Sequence, residues 1–294
     1  MMSENILTDI GFALKGVLLP FEILGAVTFG SRVKGKAAIH SDIDLLIVAD
    51  RINPKRHRRG EEILLIKKIL PPFPLDMLLL TPSETISNFE NHNPLFLDIA
   101  EDGLILLDKK DFLKTLIEKT KEYISLKGIR RLKNGWEFPV EYRTATYLSM
   151  VSNRDFSTAM FKDGRRDYSI GKKLLDDGFY DKSVYHFQQC IEKCIKSILI
   201  AFGVYQKTHF VGGMLLDTLK NKELPETWSI KLTKIAEISE SVEPEVGLSR
   251  YPAIINNALW MPSEEYEKTD AEKTEGKANE VISVTAEFIR FWFQ

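Results

Sequence analysis

The chain has 294 residues, of which 44% are apolar and 28% are charged, and its formal net charge is −2. This length predicts about two domains, and the composition excludes a disordered or fibrous chain. The near-neutral charge gives no general attraction to nucleic acid or acidic membranes, so any such binding has to be local.

Three further features predict a cytoplasmic protein without a membrane partner. No apolar run approaches the roughly 20 residues that cross a bilayer. The N-terminus lacks the basic-then-apolar order of a signal peptide. The chain contains two cysteines, Cys190 and Cys194, which is a number typical of a reducing compartment. Both cysteines are predicted to pack in a core rather than to bind a metal with His186, because His186 and Cys194 would be about 12 Å apart along a helix.

The first 108 residues alternate between helical and strand patterns. Helices are predicted over 5–18 and 61–70, and strands over 24–29, 43–48, 75–80 and 104–107. The prolines of segment 71–74 end the second helix and force an extended entry into the third strand. This alternation predicts a small mixed β-sheet with flanking helices.

Strand patterns end near residue 110, and helical periodicity continues to the C-terminus. Residues 109–145 are interpreted as a connector that contains a helix near 112–123. The strongest helical pattern covers 180–202, where apolar residues form one stripe and Gly203 ends the helix. Further helices are predicted to end near Leu175 and to cover 281–293. The fold class is therefore α+β, with domain 1–108 followed by an all-α helical bundle over 146–294.

Two aspartates at the start of the second predicted strand carry most of the functional signal. Asp42 and Asp44 are one residue apart, and alternate side chains of a strand share a face. Two carboxylates about 4 Å apart repel by roughly 4 kcal/mol at an effective dielectric constant near 20. A cation between them removes this repulsion, and oxygen ligands suit Mg²⁺ or Mn²⁺. A lone pair of this kind is otherwise typical of a solvated loop end.

Two more features favour the metal site over the solvated loop. Gly30 and Ser31 follow the first strand, where glycine lets backbone N–H groups approach a phosphate and serine adds a donor. The third strand carries Asp76 near its start. If it lies beside the Asp44 strand, Asp76 completes a three-carboxylate cluster of the kind that clamps a triphosphate and activates an attacking hydroxyl.

The order Gly-Ser, Asp-x-Asp and a later Asp resembles the active-site pattern of the DNA polymerase β-like nucleotidyltransferases, and the spacing is similar to their minimal members. The resemblance covers about residues 20–108. It implies a nucleotidyltransferase that needs Mg²⁺ or Mn²⁺ and an NTP, with ATP expected. It also implies three catalytic and metal-binding acids, Asp42, Asp44 and Asp76, and four nucleotide-binding residues, Gly30, Ser31, Arg32 and Lys34.

The second half resembles the HEPN helical domain over about residues 155–294. The similar segments are 177–183, 186–196, 207–209 and 250–252. The resemblance implies a bundle that dimerises, binds nucleotides or RNA, and commonly accompanies minimal nucleotidyltransferases. We therefore expect a homodimer through this domain, to which aromatic residues of the 180–202 stripe such as Tyr180 and Phe187 would contribute.

One departure limits what the second resemblance implies. Many HEPN proteins are ribonucleases in which an arginine precedes a histidine by a few residues. His186 and His209, the histidines of this half, have no arginine at that distance. We therefore interpret this half as a module for binding and dimerisation. Lys193 and Lys196 are either a solvated helix face or a phosphate-binding strip, and the basic run 55–59 is either a solvated turn or a contact for polyphosphate or RNA.

Together these observations predict an enzyme that transfers a nucleoside monophosphate, with AMP expected, from an NTP to a hydroxyl group. The acceptor is left open between a small molecule, a tRNA and a protein. The alternative is a non-catalytic nucleotide- or RNA-binding scaffold, or a regulator of the toxin–antitoxin type. A complete set of three acids favours the enzyme, because a purely structural site gains nothing from clustered charges.

Overall fold

A computed structural model of the protein describes residues 2–30, 32–33, 42–147, 150–255 and 257–294. The chain divides into two compact units between Ile129 and Arg130. The first unit contains a sheet and helices, and the second is mainly helical. The predicted α+β fold class is confirmed.

The first unit contains four strands and five helices within its described residues. Its elements are α1 (Met2–Lys15), β1 (Glu22–Phe29), β2 (Ile43–Asp50), α2 (Gly60–Ile69), β3 (Leu75–Leu80), α3 (Pro82–Glu90), α4 (Pro94–Asp102), β4 (Leu104–Asp108) and α5 (Phe112–Lys127). The four predicted strands are all present. Helices α3 and α4 have no counterpart in the sequence-based prediction.

The four strands form one sheet in the order β3-β2-β1-β4. Strand β1 pairs antiparallel with β2 and with β4, whereas β2 and β3 are parallel. The sheet is therefore mixed, as predicted. Because β2 and β3 run in the same direction, the residues that begin these two strands lie at the same end of the sheet.

Each face of the sheet buries its own apolar cluster. Ile43, Leu45 and Ile47 of β2 pack on one face with residues of α1 and α2. Leu46 and Val48 of the same strand pack on the other face with residues of α3, α4 and α5. This burial of alternate side chains on opposite faces explains why β2 reads as a nearly continuous apolar run.

Helix α5 belongs to the first unit by its packing. Its residues Leu113 and Ile117 are buried in the cluster that also holds Val27 of β1 and Phe96 of α4. The amide groups of Leu113 and Lys114 donate to the Asp108 carboxylate at 2.9 Å, which caps the start of the helix. The unit therefore extends to residue 129, whereas the sequence analysis ended the domain at 108 and placed 109–145 in a connector.

Arg59 is buried, unlike the other residues of the basic run 55–59. The preceding residues 55–58 are exposed, whereas Arg59 is 1% exposed. Its guanidinium donates to both carboxylate oxygens of Glu84, at 2.7 and 2.9 Å, and to the carbonyl oxygens of Leu79 and Asn53. Both interpretations of the run predicted that all five residues are solvent-accessible. Arg59 is instead buried, and its hydrogen bonds connect the start of α2 to β3 and α3.

The second unit contains the long helices. Its elements are β5 (Arg130–Leu132), β6 (Gly135–Glu137), α6 (Asn153–Asp176), α7 (Tyr180–Ala201), β7 (Val204–Gln206), α8 (Gly212–Leu219), α9 (Glu226–Val242), α10 (Glu245–Leu248), β8 (Ala253–Ile255), β9 (Ala258–Trp260), α11 (Pro262–Glu265) and α12 (Lys268–Trp292). Five short strands accompany the predicted bundle. Across the described residues, no helix combines the length and apolarity needed to cross a membrane.

Helix α7 is the central element of this bundle. Its apolar stripe, which includes Val184, Phe187, Ile191 and Ile198, is buried against residues of α9 and α12. The predicted stripe is thus confirmed, but Phe187 is fully buried within its own protomer. Phe187 therefore has no exposed surface with which to contact a second copy of the chain. The predicted contribution of Phe187 to a dimer interface is wrong, and the dimer itself stays a prediction.

Helices α6 and α7 approach closely because small residues line their contact. Ser157 and Ser197 each donate a hydroxyl hydrogen bond to the other's carbonyl oxygen, both at 2.8 Å. A Cβ atom built on Gly171 of α6 would lie 2.8 Å from the ring of Phe187. Since the ring is buried on all sides, it has no room to move away.

We therefore expect Gly171→Ala to destabilise the protein by about 1–3 kcal/mol through overpacking. The matched control is Gly276→Ala in α12, where a new Cβ would meet nothing within 4 Å. That change should stabilise the protein by about 0.5–1 kcal/mol, because alanine is the better helix former. Urea unfolding of both variants checks the pair, and equal effects of the two substitutions would contradict the close packing described here.

Candidate functional site

Asp44 and Asp76 lie side by side at one end of the sheet. They are paired positions in the parallel register of β2 and β3, so their Cα atoms are about 4.8 Å apart and their side chains project to the same face. Asp44 is half-buried and Asp76 is exposed on the edge strand. The structure therefore brings together two of the three predicted acids at a position that solvent and ligands can reach.

Gly30 lies directly against the carboxylate of Asp44. The residue follows β1 and has a φ of 83°, a conformation that favours glycine. A Cβ atom at this position would lie 2.0 Å from Oδ2 of Asp44. Glycine is therefore required here for two independent reasons, the backbone conformation and the space that the carboxylate occupies.

Thr28 fixes the backbone of Asp44 from the neighbouring strand. Its side chain is fully buried, and its hydroxyl donates a hydrogen bond of 3.1 Å to the carbonyl oxygen of Asp44. The pairing of Phe29 with Asp44 continues the antiparallel ladder up to the Gly30 turn. The sheet thus holds the backbone of Asp44 in place.

Asp42 is placed differently from the other two acids. It precedes β2, is exposed, and lines a pocket of about 360 Å³ together with Lys67 of α2 and the segment 71–75. Within the part of the chain that the structure describes, no three His, Cys, Asp or Glu side chains are close enough to hold one ion. Asp44 and Asp76 are thus the two acids at paired positions of the sheet, and Asp42 remains a predicted third member of the set.

Arg32 follows the Gly30 turn and contacts the proline-rich segment. Its guanidinium carbon lies 4.3 Å from the centre of the Phe73 ring, within the range of a cation–π interaction. Phe73 also lines the pocket beside Asp42. Of the four predicted nucleotide-binding residues, Gly30 and Arg32 are thus near the acids, whereas Ser31 and Lys34 lie outside the described residues.

The donor set at this end of the sheet fits a hard divalent cation. Mg²⁺ is usually bound by one or two carboxylates together with substrate phosphates, and Asp44 and Asp76 are two carboxylates at adjacent register positions.

In the second unit, two histidines are each held by a buried carboxylate. Nδ1 of His186 lies 3.0 Å from Oδ1 of Asp167, and Nδ1 of His209 lies 3.1 Å from both carboxylate oxygens of Glu192. Such a bond orients the imidazole ring and leaves Nε2 as the ring nitrogen outside this contact.

The carboxylates of Asp167 and Glu192 also accept hydrogen bonds from Lys193 and Lys196 of α7. Lys193 donates to Asp163 and Asp167, at 2.6 Å each, and Lys196 donates to Glu192 at 2.8 Å. Burial lowers the pKa of Lys193, but the two carboxylates outweigh it and raise the pKa above its ordinary value. These lysines are therefore neither a simple solvated face nor a free phosphate-binding strip.

Sequence patterns did not predict the acids that hold the histidines, Asp167 and Glu192, nor the roles of Thr28 and Phe73. The spacing of Glu192 and Lys196 by four residues on one helix was an available signal. Asp167 and His186 are 19 residues apart on two helices, so no local pattern connects them. Phe73 lies between prolines, and the proline pattern of 71–74 predicts only an extended segment.

Comparison with known proteins agrees with this division of the chain. The family model of the nucleotidyltransferase domain matches residues 14–123, and that of the HEPN domain matches residues 158–291. A solved nucleotidyltransferase-like protein from Exiguobacterium sibiricum is 16% identical, with a TM-score of 0.35 over 99% of this chain and 91% of its own.

Two curated relatives come from Methanocaldococcus jannaschii. "Putative toxin MJ1304" is 33% identical over 138 residues, which are 47% of this chain and 91% of the relative. "Putative protein adenylyltransferase MJ1305" is 26% identical over 107 residues, which are 35% of this chain and 71% of the relative. The chain belongs to the nucleotidyltransferase and HEPN families, whose domains it joins in that order.

Proposed function

We propose that the chain is a metal-dependent nucleotidyltransferase that transfers AMP from ATP to a hydroxyl group. The observation that carries the proposal is the placement of Asp44 beside Asp76, with the Gly30 backbone against the Asp44 carboxylate. The name of the 26% identical relative, a protein adenylyltransferase, makes ATP and a protein hydroxyl the first substrates to test. A small molecule and a tRNA 3′ end are the other acceptors to be tested.

In this proposal, Asp44 holds the divalent cation together with the triphosphate, while Asp42 and Asp76 complete the ligand set when the substrate is bound. When bound, Mg²⁺ or Mn²⁺ supplies Lewis-acid stabilisation of the charge on the phosphates. Gly30 and Ser31 cradle the β- and γ-phosphates, and Arg32 and Lys34 offset their charge. The acceptor oxygen forms a bond to the α-phosphorus, the bond to the β-phosphate oxygen breaks, and pyrophosphate leaves.

The proton of the acceptor hydroxyl passes to the carboxylate of Asp76, which is exposed on the edge strand. A carboxylate is a weak base in water. It becomes an effective acceptor when it is held within hydrogen-bond distance of the attacking group. The fixed spacing of Asp44 and Asp76 in β2 and β3 supports this assignment of one metal-binding and one proton-accepting carboxylate.

The helical domain has a supporting role in this proposal, namely dimerisation and the binding of acceptor or nucleotide. The name of the 33% identical relative, "Putative toxin MJ1304", is the reason to keep as an alternative a regulator of the toxin–antitoxin type that is not catalytic. Such a regulator would bind a nucleotide or RNA without transferring a group. Sedimentation velocity of the full chain at tens of micromolar separates a dimer from a monomer.

The test is label transfer from ATP to the components of a cell extract. We expect label from α-³²P-ATP to be transferred by the full chain with Mg²⁺ and not in EDTA, and γ-³²P-ATP to leave no label, because that phosphate departs with pyrophosphate. Sorting the product into protein, RNA and small-molecule fractions identifies the acceptor. Transfer of the γ-label would indicate a kinase, and the absence of any transfer in every fraction would favour the non-catalytic alternative.

A further inference from the structure

Strand β4 forms one edge of the sheet in the first unit. Its inner side pairs with β1, and the described residues place no strand on its outer side. Apart from a bulge at Leu106, positions 104–107 carry none of the features that prevent edge pairing, since they contain no proline and no charged side chain. An apolar edge of this kind is a template for a further strand.

An open apolar groove lies beside this edge, between α1 and β4. Its volume is about 530 Å³, and its walls include Phe12 of α1 and residues 104–106 of β4. The side chain of Phe12 is 81% exposed, and that of Leu104 is 47% exposed. Because burying an aromatic ring is strongly favourable, an exposed phenylalanine beside an unpaired apolar strand indicates a contact surface.

Charges of opposite sign precede and follow this apolar strand. Glu101 and Asp102 end helix α4 immediately before it, and Lys109 and Lys110 follow it. If two copies of β4 lie antiparallel, the acidic end of each strand meets the basic end of the other, whereas a parallel arrangement brings like charges together. The edge is therefore complementary in charge to a second copy of itself about a twofold axis, as a symmetric interface requires.

We propose that two copies of the chain associate through their first units, with β4 of one copy antiparallel to β4 of the other. The two four-stranded sheets then form one continuous sheet. Main-chain hydrogen bonds between the two edges supply affinity, and the contact of Phe12 with the apolar side chains of 104–107 excludes water.

This interface leaves the candidate site accessible. Strand β3, which carries Asp76, forms the opposite edge of the sheet from β4. The interface is also separate from the dimer expected through the helical domain, because it belongs to the first unit. It does not depend on the proposed nucleotidyl transfer.

The experiment replaces Phe12 of the full chain by the photoreactive amino acid p-benzoylphenylalanine. Irradiation of an equimolar mixture of ¹⁴N- and ¹⁵N-labelled chain should give covalent dimers, in which mass spectrometry finds position 12 of one copy attached to α1 or β4 of the other. The control carries the same probe at Leu126 of α5, which is 77% exposed, and should give no cross-link to β4. The absence of a covalent dimer from position 12, or cross-links that reach only the second unit, would overturn the proposal.

Glu101→Lys and Lys110→Glu test the charge pairing between the copies. In each variant alone, two equivalent attractive pairs become repulsive, so the cross-link from position 12 should fall by at least about fivefold at low ionic strength. In an equimolar mixture of the two variants both pairs are attractive again, and the cross-link should return. The matched control is Lys121→Glu, an exposed lysine of α5, which should leave the yield unchanged. No loss in either variant, or a loss that mixing does not reverse, would overturn the antiparallel arrangement.

Discussion

Asp44→Asn should reduce nucleotidyl transfer by at least about 10²-fold, because it removes the charge that stabilises the reacting phosphates and their cation. The fold should survive the change. Asp44 lies at the solvent end of β2, and its backbone bonds to β1 and to the Thr28 hydroxyl do not depend on the side chain. Steady-state rates with α-labelled ATP measure the effect, and thermal unfolding of the metal-free protein measures the stability.

The control for this prediction is Asp50→Asn at the opposite end of the same strand. Asp50 is exposed, and its carboxylate accepts a hydrogen bond only from the neighbouring amide of Arg51 among the bonds that the structure describes for it. Its replacement should leave the rate within about twofold of the original, a small change in free energy. Wild-type activity in Asp44→Asn, or an equal loss in Asp50→Asn, would remove Asp44 from the site.

Arg59→Met should destabilise the first unit by about 3–5 kcal/mol, since it leaves the partly buried Glu84 carboxylate without its partner. The arginine also supplies donors to the carbonyl oxygens of Leu79 and Asn53, which the methionine cannot replace. Urea unfolding measures the loss, with Arg58→Met as the control on the exposed part of the same run. A loss of unfolding free energy below about 1 kcal/mol would contradict this prediction, because that value is typical of an exposed surface ion pair.

The same ion pair makes stability depend on pH. Burial pushes the pKa of Glu84 upward, but the hydrogen bonds from Arg59 and Thr81 outweigh it and hold the pKa below its ordinary value of 4.5. The stabilisation is therefore present above pH 4.5 and is lost as the pH falls through the lower, folded-state pKa. Glu84→Gln should remove this part of the acid dependence, and an unchanged acid profile would contradict the assignment.

The strands could be predicted from the sequence because their apolar runs are short and bounded by turn residues. Predicted strand 75–80 agrees with β3, and predicted strands 24–29 and 43–48 lie within β1 and β2. The long apolar stripe also predicted α7 to within one residue. The order β3-β2-β1-β4 could not be read from these patterns, because pairing depends on contacts between distant segments.

The missed helices have specific causes. Helix α3 carries a capping box formed by Thr81 and Glu84, and this spacing is a sequence signal for the start of a helix. Helix α12 begins at Lys268, but only its last part, 281–293, was predicted, since the first half is rich in polar and charged residues. Burial on one narrow face was enough to keep that half helical, with Ala271 and Ala278 in the core.

For the candidate site, the sequence pattern predicted three metal-binding acids, Asp42, Asp44 and Asp76. It did not predict the position of each acid relative to the neighbouring helices and loops. The parallel pairing of β2 with β3 brings Asp76 beside Asp44, as the sequence analysis assumed. The pocket that Asp42 lines with Lys67 was not predicted. That placement depends on helix α2 and on the proline-rich segment, and neither is connected to Asp42 by any pattern along the chain.

The most direct test of the proposed metal site is anomalous diffraction from crystals of the full chain grown with Mn²⁺ and a non-hydrolysable ATP analogue. We expect a manganese peak within about 2.2 Å of a carboxylate oxygen of Asp44, a bond length typical of a hard cation on oxygen ligands. The phosphates should lie against the Gly30 turn, and Asp76 should face the same ion or the α-phosphate. A nucleotide bound elsewhere, or bound at the turn with no manganese at Asp44, would contradict the proposal.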